Sequence, residues 1–118
     1  MLFRSLWGAE QAINAGDALF ALAHLVLQKE HDLSPESKLD VLRLLDEACL
    51  SLTEGQAADI EFESKNQIDL DMYMNMIEGK TASLIAVSTE LGALVSGASL
   101  QQRMCYRDFG YEIGRAHV

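Results

Sequence analysis

Proline is almost missing from this sequence. The only one, Pro35, follows Ser34, so little interrupts long helices elsewhere. Cysteine is nearly as scarce. Cys49 and Cys105 could form at most one disulfide, and in such a chain they read as reduced thiols of a cytosolic protein. Cations are outnumbered, with 9 Lys and Arg against 18 Asp and Glu, for a formal charge of −9. That balance argues against nucleic acid or an anionic membrane surface as partner, since both are polyanions. It leaves room for a small anion held by one local cation. The longest strongly apolar run, residues 18–27, is broken by His24 and is too short to span a bilayer. The N-terminus lacks the charged-then-apolar design of a secretory signal. Glycine-rich phosphate loops, paired-cysteine metal motifs and catalytic triads are also missing. His24 and His31 have no companions at metal-ligand spacing, so no metal is assigned to them. These absences describe a soluble, cytoplasmic protein with no transmembrane segment.

What is present is helical. The 118 residues suffice for one domain with a modest core. Leu and Ala dominate the hydrophobic residues, which favours helices over strands. The periodicity predicts four helices with short, roughly antiparallel connections. The first covers 7–28 and is apolar on nearly all sides, as a helix surrounded by others is. Its polar exceptions, Asn14, Asp17 and His24, lie near one line, and Gly16 suggests a close helix contact. The second covers 35–65, with Ser34 as N-cap and Pro35 at its first position. Gly55, inside it, marks a bend or a close backbone approach. The third covers 70–96, capped by Asp69 or Asp71 and stopped at Gly97. The fourth starts near Leu100 and is still running at Val118.

Two of these helices place polar groups on faces that should be buried. At about 100° per residue, Tyr73, Ile77, Leu84, Val87, Leu91 and Val95 form an apolar stripe with Lys80 in its middle. In the second helix Val41, Leu42, Leu45, Ala48, Cys49 and Leu52 form a stripe that continues as Gln56, Asp59, Ile60 and Glu63. Two core-facing stripes that turn polar at Gln56–Asp59 and at Lys80 suggest a lined cavity. A lysine in an apolar stripe either snorkels its ammonium to water or meets an anion. Snorkelling is the commoner outcome, by roughly 3 to 1. Thr81 adds a hydroxyl that could share a ligand or bond back to a carbonyl one turn earlier. Gln56 and Asp59 also suit a helix end that approaches solvent. The acids at 69–71 and at Glu61 and Glu63 read as solvated faces.

Four motifs then point the same way. Gln11-Ala-Ile-Asn-Ala-Gly-Asp17, Glu54-Gly-Gln-Ala-Ala-Asp59, Tyr73-Met-Asn-Met-Ile-Glu-Gly-Lys80-Thr81-Ala and Leu91-Gly-Ala93 resemble the middle of the trans-isoprenyl diphosphate synthases, the polyprenyl synthetase family. They occur in the family's order, near its spacing, and cover almost the whole chain. The resemblance implies an all-α bundle around a deep cavity. There Mg2+ and basic residues grip an allylic diphosphate, the carbon–oxygen bond ionises, and isopentenyl diphosphate attacks the allylic cation. By the resemblance, Lys80 holds the leaving diphosphate, and Thr81 with the Lys80 carbonyl faces the cation. Gln56 and Asp59 match the GQ-x-x-D motif beside the diphosphates. A homodimer is implied as well.

The departures carry equal information. The family has an Asp-rich motif upstream of the first of these motifs and another after the last helix. The chain begins too late for the first. It ends with His117-Val118 where Phe109-Gly-Tyr-Glu-Ile-Gly-Arg-Ala116 leads toward the second. Residues 1–118 are therefore expected to be a single partial synthase domain without its metal-binding carboxylates, inactive alone. The alternative is a non-catalytic helical subunit of the same fold that dimerises with a complete synthase. A terpene cyclase of related fold is a third reading.

Overall fold

Side chains beside the backbone set the helix ends. The computed structural model describes residues 2–65 and 67–116, and no strand occurs among them. Helix α1 (Leu2–Lys29) is broken at Gly8, whose φ of 84° and ψ of 169° are not helical. Glycine takes that conformation at no steric cost, so unbroken helix begins just past Trp7, close to the expected start. Ser34 accepts a hydrogen bond from the Ser37 amide at 3.1 Å and opens α2 (Pro35–Phe62), as predicted. Asp69, not Asp71, caps α3 (Leu70–Ile77), accepting from the Met72 amide at 2.8 Å.

The single helix predicted over 70–96 is three segments in one rod: α3, a π-helical turn (Glu78–Ala82) and α4 (Ser83–Val95). The Ser83 amide donates to the Glu78 carbonyl, five residues back, and the Ser83 hydroxyl donates to the Gly79 carbonyl at 2.7 Å. The wider turn takes up an extra residue and shifts the phase of all that follows. Burial therefore passes from Ile77 to Ala82, Ala86, Glu90 and Ala93. Tyr73, Leu84 and Val95, placed on the buried face by unbroken periodicity, are 41%, 37% and 48% exposed. Ile77 and Val87 keep their predicted burial.

Gly97, at φ 77°, ends α4. The Ala98 amide donates to the Ala93 carbonyl and the Gly97 amide to the Leu94 carbonyl, both at 3.0 Å, the paired bonds of a Schellman stop. Ser99 and Gln102 then form a reciprocal cap for α5 (Leu100–Ala116). The Ser99 amide donates to Gln102 Oε1 at 2.9 Å, and the Gln102 amide to Ser99 Oγ at 3.4 Å. The predicted continuation of this helix over residues 117–118 lies outside the described residues.

The chain divides into two compact units, Met1–Lys38 and Leu39–Val118. In the first, α1 buries none of its described side chains. Within this unit a Cβ on Gly16 would meet nothing within 4 Å. Asn14 bonds within its own helix to Gln11 at 3.4 Å, not to another helix.

The second unit holds the core, where Leu44, Ala48 and Val87 are joined by Leu91 and Leu94. On α2 the buried line is Val41, Leu44, Ala48 and Gly55. The predicted Leu42, Leu45, Cys49 and Leu52 flank it, half-buried. Small residues decide this rotation. A Cβ on Gly55 would lie 2.7 Å from the Gly79 carbonyl carbon and 2.9 Å from Lys80 Cα, so the two backbones nearly touch there. Gly55 thus marks a close approach, not a bend. On the other flank, α5 sets Gly110 against Ala86 and Gly114 against Ala82, where added Cβ atoms would lie 2.8 Å from Ala86 Cα and from Ala82 Cβ. Residue numbers run oppositely across both contacts, so α2 and α5 are each antiparallel to the π-interrupted rod.

Candidate functional site at the crossing of α2 and the π-helical turn

The Gly55–Gly79 approach brings Asp59, one turn further along α2, beside Lys80. Lys80 Nζ and Asp59 Oδ2 form an ion pair at 2.5 Å, with side chains 37% and 35% exposed. The polar intrusions predicted in the two separate stripes therefore meet, and Lys80 neither snorkels alone nor lies dry. Gln56 and Thr81 are half-buried close by in sequence. Among the described residues neither the Gln56 amide nor the Thr81 hydroxyl has a hydrogen-bond partner, which leaves both open to a ligand.

The expected cavity is placed differently. A pocket of about 630 Å³ runs along α2 past Ser51, Gly55 and Ala58 and reaches Glu78 and Gly79 of the π turn and Tyr111 of α5. Gln56, Asp59, Lys80 and Thr81 do not line it. The reason is again the glycine crossing. It closes the space between α2 and the π turn at its centre, leaving the pocket and the Lys80–Asp59 pair on separate parts of the α2 surface.

Two ionic clusters escaped the sequence reading. Glu90 is 2% exposed and accepts from Arg103 Nη2 and Arg107 Nη1 of α5, each at 3.1 Å. The signal was available, because Glu90 sits among Val87, Leu91 and Leu94 much as Lys80 sits in its stripe. The second cluster ties the π turn to α5. Glu78 Oε1 lies 3.4 Å from Arg115 Nε, and the Tyr111 phenol sits beside the same carboxylate. Burial pushes the Tyr111 phenol above its ordinary pKa, and Glu78 raises it further.

Both cysteines are free; burial, then the nearby Asp46 charge, pushes the half-buried Cys49 thiol up. Among the described residues no group of three or more His, Cys, Asp and Glu side chains could hold a metal ion. These residues alone do not fit a Mg2+ site. No helix among the described residues is long and apolar enough to cross a membrane.

Fold and site together define an all-α protein with a lysine–carboxylate pair held at a helix crossing. The Polyprenyl synthetase family model matches residues 2–117, and the chain belongs to the polyprenyl synthetase family. It is 44% identical over 112 residues to the (2E,6E)-farnesyl diphosphate synthase of Mycobacterium tuberculosis, covering 95% of this chain and 30% of that protein. A short chain isoprenyl diphosphate synthase of Methanothermobacter thermautotrophicus is 39% identical over 111 residues, 94% of this chain and 34% of that one. The geranylgeranyl pyrophosphate synthetase from Pyrococcus horikoshii has a solved structure that superposes with a TM-score of 0.88 at 35% identity. That match covers 96% of this chain and 34% of the other. The chain thus spans about a third of the length of the relatives it matches.

Proposed function

We propose that this chain is the part of a polyprenyl synthase that grips the leaving diphosphate, with Lys80 as the gripping cation. The Lys80–Asp59 pair at the glycine crossing carries this reading. A pair about one-third exposed contributes roughly 1 kcal/mol or less. A multiply charged diphosphate can therefore take the ammonium from Asp59, and its charge grows as the carbon–oxygen bond ionises. A preorganised cation at that position stabilises the transition state more than the bound substrate. Gln56 and Thr81, open to a ligand, stand beside the diphosphate and the allylic cation respectively.

In the complete enzyme the substrates are an allylic diphosphate and isopentenyl diphosphate, and the product is a longer polyprenyl diphosphate. Mg2+ is held there by carboxylates outside these residues, and supplies charge neutralisation when bound. The assembly is a homodimer; the apolar surface of α1, with Ile13 and Val26 67% and 68% exposed, supports association. The two free thiols suit the cytoplasm.

The test is a chimaera in which this chain replaces its counterpart in the P. horikoshii synthetase. Prenyl transfer should be restored, and Gln56→Ala and Thr81→Ala should each lower it. A chimaera that folds and binds substrates without turnover would favour the non-catalytic subunit reading.

A further inference from the structure

Packing holds the π-helical turn at Gly79 and Ala82 but leaves the charged side chains of Glu78 and Lys80 unexplained. A five-residue step is uncommon inside a helix and tends to mark a functional place. Packing fixes the segments on either side: Ile77 before it, and Ala86, Val87 and Glu90 after it, are buried. Within the turn, Ala82 packs on Gly114 of α5, while Glu78 and Lys80 carry its ion pairs, to α5 and to α2 respectively. The Glu78 carbonyl accepts the Ser83 amide that defines the turn. Its carboxylate meets Arg115 at 3.4 Å and lies beside the Tyr111 phenol. One residue therefore holds the turn by its backbone and anchors it by its side chain.

We infer that Glu78 is a positioning residue: with Tyr111 and Arg115 of α5 it latches the π turn and so aims Lys80 at its anion. The inference deepens the function proposed above and rests on Lys80 being the diphosphate cation. Losing the anchor lets the turn sample an ordinary α step, which rotates Lys80 relative to Gly79 and the α2 backbone. Arg115 also pairs with Glu112 at 3.2 Å, so freeing Glu78 does not strand an unpaired guanidinium. On α2 the polar residues that line the same pocket as Glu78 and Tyr111 are Glu47, Ser51, Glu54 and Glu61.

The experiment uses the chimaeric synthetase carrying this chain and two readouts: amide hydrogen exchange resolved by residue, and NMR titration with inorganic diphosphate. Glu78→Ala should speed exchange of the Ser83 amide at least tenfold while the amides of Val87, Leu91 and Leu94 keep their rates. Diphosphate affinity should fall several-fold, and Glu78→Gln, which keeps a carbonyl oxygen beside Tyr111, should recover part of both effects. Tyr111→Phe breaks the latch from α5 without touching the turn, and should raise Ser83 exchange by a smaller factor. It stands as the test should Glu78→Ala fail to fold. An unchanged Ser83 rate in either folded variant, or a uniform rise across all helices, would overturn the latch. Lys80→Met separates the two ideas. If it leaves diphosphate binding intact, the Lys80 reading fails, whereas the Ser83 rates still judge the latch.

Discussion

Among the carboxylates that bridge helices to cations, Glu90 and Asp59 do so in opposite ways. The Glu90 side chain is 3% exposed and shared by two arginines of α5. Asp59 is 35% exposed and holds one lysine. A carboxylate sealed between two guanidinium groups has no way to exchange partners without opening the helix pair. A half-solvated one-to-one pair can trade its carboxylate for another anion at small expense. The first arrangement fixes α5 against α4; the second leaves its lysine able to change anions, as the proposed diphosphate role requires. Similar chemistry is thus locked in one place and exchangeable in the other, and burial decides which.

The largest break in that comparison is at Glu90. Glu90→Gln keeps the shape but leaves two guanidinium groups without a counter-charge, and should destabilise the fold by about 3–5 kcal/mol. Chemical denaturation at fixed pH reads this directly, and a loss within 1 kcal/mol would make the cluster a surface pair in effect. Gly55→Ala comes next. Its Cβ would press on the backbone of Gly79 and Lys80, costing about 1–3 kcal/mol as overpacking does. It should also displace Lys80 from Asp59, so diphosphate binding should weaken along with stability. Normal binding in this variant would show that the crossing does not position the lysine.

The smallest effect is a pH dependence at Tyr111. Its folded pKa is raised above the ordinary value near 10, by burial first and by Glu78 second. A raised folded pKa means the neutral phenol is favoured in the folded state. Its contribution is complete below pH 10 and is lost as pH rises through the folded value. Melting curves between roughly pH 9 and 11 should decline less steeply in Tyr111→Phe than in the parent chain. Parallel declines would remove Tyr111 from the latch.

Much of this was legible in the sequence, and the misses share a cause. Ser34, Pro35, Asp69 and Gly97 announced their helix ends because capping depends on a few adjacent residues. Lys80 and Asp59 were legible as polar intrusions in apolar stripes. The π turn was not, since a periodicity argument assumes 3.6 residues per turn throughout, and the error carried to Leu84 and Val95. Gly110 and Gly114 looked ordinary because the partner that makes a glycine necessary, here Ala86 and Ala82, is distant in sequence. The cavity was misplaced for a related reason. Polarity identified the residues around Lys80, but the closeness of the Gly55 and Gly79 backbones determined where space remained.

The central claim is that Lys80 is held for a diphosphate and not merely accommodated by Asp59. The direct measurement is turnover and thermal midpoint of Lys80→Met in the chimaeric synthetase. Methionine keeps the apolar stem and removes the charge. The account predicts a rate loss of about a hundredfold, equivalent to roughly 3 kcal/mol of transition-state stabilisation, with the midpoint nearly unchanged because the half-exposed pair contributes little to folding. Lys80→Arg, which keeps the charge but changes its geometry, should fall between the two. Activity within a few-fold of the parent in Lys80→Met, at an unchanged midpoint, would contradict the account.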